Sequence, residues 1–76
     1  MGGMSTYTAL LEGPDDEGWI VVTFPALRGC VTQGRTRDEA IANAHEALEL
    51  YLEALAHQGE PIPVERVNVE VLEIAV

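Results

Sequence analysis

The sequence predicts an α+β domain of two layers in the order β-β-β-α-β, with one helix packed on a four-stranded sheet. Three observations carry that expectation. Strand-like runs rich in β-branched and aromatic residues fill the first half, the apolar spacing then changes from two residues to three and four, and a final alternating run follows two prolines. At 76 residues the chain has room for one domain, residues 1–76 with a core over about 6–75. A domain of this size buries only about 60% of its unfolded surface.

Each element has a local cause. Tyr7 to Glu12 (YTALLE) reads as the first strand, and Gly13 to Gly18 (GPDDEG) as a turn of strand-breaking residues. Trp19 to Phe24 (WIVVTF) is the strongest strand, ended by Pro25, which cannot donate to a sheet ladder. Cys30 to Gln33 (CVTQ) reads as a short third strand, and its flanking Gly29 and Gly34 are expected to supply positive φ. Thr36-Arg37-Asp38-Glu39 has the form of a capping box, opening a helix to about Gln58. Ile41, Ala44, Leu48, Tyr51, Leu52 and Leu55 fall on one stripe of that helix, and Glu39, Glu46, Glu49 and Glu53 gather on another. Gly59, Pro61 and Pro63 stop it. Arg66 to Ile74 (RVNVEVLEI) alternates as a last strand, which the helical crossover can lay parallel to a neighbour.

The charge balance narrows the function. Thirteen Asp and Glu oppose four Arg with no Lys, and the net charge is −9. Nucleic-acid binding needs clustered cations to displace counterions, so direct binding to a polyanion is not expected. A basic protein partner would be attracted and steered. No apolar run approaches the ~20 residues of a membrane span, so no membrane partner is expected. The single cysteine, Cys30, can form no internal disulfide, which agrees with a cytoplasmic location.

No catalytic set, cofactor site or metal site is expected. Asp15, Asp16 and Glu17 are adjacent in a turn and diverge, so a solvated acidic turn is the simpler reading than a cation site. His45 and Glu49 are four apart on the helix, but zinc needs a third ligand at fitting spacing. His57 falls in the last helical turn, where a cation complements the helix dipole. Cys30 has no base beside it in sequence and reads as a small half-buried apolar residue. There is no strand-to-helix glycine loop that could cradle phosphate.

What remains is a binding surface. In the second strand Trp19, Val21 and Thr23 point to one face and Ile20, Val22 and Phe24 to the other, so both faces are largely apolar while one helix can cover only one. The uncovered face predicts a homodimer or higher homo-oligomer, or a protein partner. Leu50, placed nearly opposite the core stripe, joins Trp19 as a candidate apolar contact, and Glu46, Glu49 and Glu53 are the candidate charged ones.

Taken in order, Trp19 to Pro25 (WIVVTFP), Leu27 to Cys30 (LRGC), Thr32 to Gly34 (TQG), Thr36 to Ala40 (TRDEA), Ala44 to Leu52 (AHEALELYL) and Gly59 to Pro63 (GEPIP) resemble the HicB-like antitoxin family. The likeness covers about Tyr7 to Pro63. It implies a partial RNase H-like fold without the RNase H catalytic carboxylates. It also implies a partner, a small basic HicA-like ribonuclease toxin neutralised by covering its active surface. Family antitoxins usually carry a C-terminal helix-turn-helix or ribbon-helix-helix module. Nothing here matches one, so DNA binding and autorepression are not carried over. A degenerate nuclease is the enzymatic alternative, and a stand-alone homo-oligomeric scaffold or small-ligand sensor without a toxin is the other.

Overall fold

The computed structural model describes residues 6–64 and 70–75. Three strands, β1 (Leu10–Glu12), β2 (Ile20–Thr23) and β3 (Val31–Gly34), form an antiparallel sheet in the order β1-β2-β3, followed by one helix, α1 (Arg37–His57). The register pairs Leu11 with Val22 and Val22 with Thr32, so these three side chains share a face. That face carries the helix, and its core is Val22, Phe24, Leu27, Cys30, Ala40 and Ala44. The α+β class and the three-strand-then-helix order follow the sequence expectation. Residues 70–74 of the expected fourth strand have no regular structure, and Arg66–Val69 lie outside the described residues.

The two loops of the sheet are built by specific bonds. In the first, the Asp15 carboxylate accepts from the backbone N–H of Glu17 (2.9 Å) and of Trp19 (2.8 Å), and Gly18 N–H donates to the Asp15 carbonyl. Asp15 is thereby committed to the turn. In the second, Phe24, Leu27 and Cys30 exchange backbone bonds of 3.0–3.2 Å that fold Leu27 inward, where it is 1% exposed. Leu27 and Val22 are the two largest fully buried side chains among the described residues.

The helix starts where the sequence indicates. Thr36 is its N-cap in an extended conformation, and Thr36 Oγ1 accepts from Glu39 N–H at 3.0 Å. The return bond differs from a standard capping box: Glu39 Oε1 accepts from Arg35 N–H at 3.1 Å, one residue earlier than the cap. The carboxylate thus reaches the last turn before the helix and fixes the angle at which the chain leaves β3. At the other end Gly59 has φ +69, and Gly59 and Glu60 N–H donate back to Ala56 and Leu55.

Two expectations are corrected by the packing between helix and sheet. Gly29 has φ +78 as expected, but Gly34 does not have positive φ. It is needed for space: a Cβ there would stand against Ala40 N, 2.7 Å from Ala40 Cα and 2.9 Å from Glu39 C. The buried helix positions are accordingly Ala40 and Ala44, with Ala47, Leu48 and Tyr51 packed beside them. Ile41, Leu52 and Leu55, expected in the core stripe, are only half-buried. Close approach of the helix to the sheet selects the alanine line and rolls the larger residues toward its flank.

Candidate functional site

The helix leaves two flanks and the sheet one bare face. On the flank beside β1, an apolar groove of about 190 Å³ is lined by Tyr7, Ala9, Leu11, Phe24, Ile41, Ala44, His45 and Leu48. His45, exposed at the rim, is thus a boundary residue as its place in the stripe suggests. At one end the Tyr7 hydroxyl donates to the Pro63 carbonyl, which returns the chain after α1 to the approach of β1.

On the flank beside β3, a second groove of about 200 Å³ is lined by Thr32, Asn43, Glu46, Ala47 and Leu50. Leu50 is 57% exposed. The sequence places it nearly opposite the core, but the structure turns it to this flank, because the buried line runs through Ala40, Ala44 and Ala47 rather than through Ile41 and Leu55. Glu46 lines the same groove. Glu39, Glu46 and Glu53 are seven residues apart, a spacing that drifts only ~20° around a helix, so they form a row along this flank. Glu49 falls further round, on the side facing away from the sheet. Of the three carboxylates singled out in sequence, Glu46 and Glu53 therefore belong together and Glu49 stands apart.

The bare face of the sheet carries Leu10, Val21, Thr23, Val31 and Gln33, set by the pairs Leu10 with Thr23, Val21 with Gln33 and Thr23 with Val31. Leu10, Val21 and Thr23 are half-buried, while Val31 is 55% exposed. Trp19 precedes this face, with the Arg35 guanidinium stacked 4.1 Å from its ring centroid. Arg35 Nη1 also donates to the Glu17 carbonyl at 3.4 Å. The cation–π contact joins the first turn to the residue after β3. Nothing in the local sequence around either residue signals it, since the two are sixteen positions apart.

Polar contacts across the helix–sheet seam complete the site. Asn43 Nδ2 donates to the Gln33 carbonyl at 2.8 Å, and the Tyr51 hydroxyl donates to the Arg28 carbonyl at 2.8 Å. Cys30 is buried with its Sγ 4.0 Å from the Ala47 carbonyl oxygen, and burial pushes its thiol pKa up. A protonated thiol in that position is a packing group and a poor nucleophile. Among the described residues no three His, Cys, Asp or Glu side chains are grouped to hold a metal ion, and no helix is long and apolar enough to cross a membrane.

The sequence of this domain, as distinct from its geometry, has clear relatives among known proteins. The HicB_like antitoxin family of bacterial toxin-antitoxin systems matches residues 7–75. A UPF0150 protein of Synechocystis is 46% identical over 70 residues, covering 92% of this chain and 87% of that one. A UPF0150 protein of Thermoplasma acidophilum is 46% identical over 57 residues, covering 75% and 81% respectively. Antitoxin HicB 1 of Photorhabdus laumondii is 40% identical over 58 residues, which is 76% of this chain but 37% of that longer protein. No solved structure gives a significant match. The extent of the family match, from the approach of β1 through the residues after α1, shows that this chain belongs to the HicB-like antitoxins of bacterial toxin–antitoxin systems.

Proposed function

We propose that this protein is a binding module that neutralises a small basic HicA-type ribonuclease by covering its active surface, without catalysing a reaction itself. The observation that carries this reading is a net charge of −9 on a member of an antitoxin family, with Glu39, Glu46 and Glu53 aligned on one flank of α1. A cationic nuclease surface complements that charge, which raises the encounter rate, while close-range affinity comes from apolar anchors. Leu50 and Trp19 are the available anchors, and Glu46 and Glu53 supply the charge on the flank of Leu50, with Glu49 further round the helix. Co-expression with the product of the neighbouring gene tests the reading. The expected outcome is a co-purifying pair and restored growth; a toxic neighbour that is neither bound nor silenced would refute it.

Two structural features go with this function. The half-buried Leu10, Val21 and Thr23 with exposed Val31 support self-association through the bare sheet face, as a homodimer or higher oligomer. A fourth strand beside β1, giving RNase H-like order, is proposed from the alternating run that follows the helix; its residues 70–74 have no regular structure in the single chain and would order on pairing. Support comes from its alternating sequence, from the open apolar groove next to Leu11, and from the Tyr7–Pro63 bond that brings the chain back to that edge. Cross-strand NOEs between β1 and this segment are the expected signature.

A further inference from the structure

We infer that the outer edge of β3, with the groove under Leu50, receives an extended cationic segment of the partner protein as an added strand. The inference rests on the binding-module reading above and names the surface that does the binding.

The edge follows from the hydrogen-bond alternation of an antiparallel pair, in which residues take turns pointing their backbone groups at the partner strand and away from it. Phe24 N–H donates to the Cys30 carbonyl, so that pair points inward. Counting along the register, Val22 with Thr32 and Ile20 with Gly34 also point inward, whereas Val31 and Gln33 point out. The Gln33 carbonyl confirms the count, because it accepts from Asn43 Nδ2 on the helix side and not from β2. The edge therefore offers three groups: the N–H and C=O of Val31 and the N–H of Gln33. Asn43 closes the fourth, which limits how far another strand can extend along this edge.

Side chains flank those groups on both faces. An added strand alternates its side chains, placing one set over Val31 on the bare face and the other over Thr32, Ala47 and Leu50 in the groove. The row Glu39, Glu46 and Glu53 runs alongside. Arg35, the cation nearest β3 in sequence, is held against Trp19. Charge thus selects the occupant. A second copy would bring its own acidic row to the same edge, while a strand bearing Lys or Arg would meet opposite charge.

The test uses the full chain and a co-expressed small basic HicA-type ribonuclease as the probe, read by amide hydrogen exchange and by affinity. In the complex the Val31 and Gln33 amides are expected to slow at least roughly tenfold, and Thr32, already in the ladder, to change little. Val31→Pro removes the outward donor and is tolerated on an edge whose N–H faces solvent; it is expected to weaken binding roughly tenfold with the melting curve retained. Asn43→Ala releases the Gln33 carbonyl and is expected to strengthen binding. If Val31→Pro fails to fold, the exchange pattern and Leu50→Lys, expected to weaken binding, decide instead. Failure of the wild-type chain to bind the ribonuclease would overturn the binding-module reading and this inference with it. Binding without protection of Val31 and Gln33 would overturn the edge alone. Protection that grows with concentration of this chain by itself would assign the edge to a second copy and overturn the cationic occupant.

Discussion

Gly34→Ala is the substitution that most directly probes how this fold is held together. The added methyl has no rotamer by which to escape, and the atoms in its way are backbone: Ala40 N, Ala40 Cα at 2.7 Å and Glu39 C at 2.9 Å. Relief requires the first turn of α1 to lift from β3. That shift would disturb the contacts of Ala40 and Ala44, both in the core, and strain the Asn43–Gln33 bond. Overpacking of this kind costs ~1–3 kcal/mol when side chains can adjust, and backbone against backbone puts it at the upper end, ~3 kcal/mol. A 76-residue domain has about 4–11 kcal/mol in all at the usual stability per residue, so the loss is a large fraction. Thermal unfolding by circular dichroism should show Tm lower by about 12–24 °C, from 4–8 °C per kcal/mol. Gly59→Ala is the contrasting variant. Gly59 has φ +69 but nothing within 4 Å of its would-be Cβ, so only left-handed strain acts, ~1 kcal/mol. Equal effects of the two substitutions, or a Gly34→Ala midpoint within experimental error of wild type, would mean that the helix does not rest on β3 at the distance described.

Other expectations follow from single contacts. Thr36→Ala should cost about 1 kcal/mol in urea unfolding, because it removes the acceptor for Glu39 N–H. The Cys30 thiol pKa is raised in the folded state, so its contribution is present in full below the unfolded thiol's pKa and is lost as pH rises through the folded value. Stability should therefore fall above about pH 9, with a shallower fall in Cys30→Ala, and alkylation of the native thiol should be slow at pH 7. Charge reversal of Glu46 and Glu53 together should slow association with a basic ribonuclease roughly tenfold at low salt, more than reversal of Glu49, and the difference should shrink as salt rises. Stopped-flow association rates check it; an effect confined to dissociation would argue against steering.

Sequence patterning locates the strands and the helix because burial writes itself into periods of two and 3.6, and cap chemistry into Thr36 and Gly59. It does not reveal how closely two layers approach. The larger residues Ile41, Leu52 and Leu55 dominate a hydrophobicity count, yet Gly34 admits the helix backbone itself, and the buried positions nearest that approach are Ala40 and Ala44. From this one contact the rest of the site follows. The helix is rolled so that Leu50, read as facing away from the sheet, comes to the flank of β3, and Glu46 and Glu53 come with it while Glu49 does not. Asn43 reaches the Gln33 carbonyl for the same reason. The acidic row and the apolar groove beside the β3 edge are thus consequences of a missing side chain at position 34. A change there should be felt in partner binding as well as in stability, since lifting the helix separates Leu50 and Glu46 from Thr32 of β3, with which they line one groove.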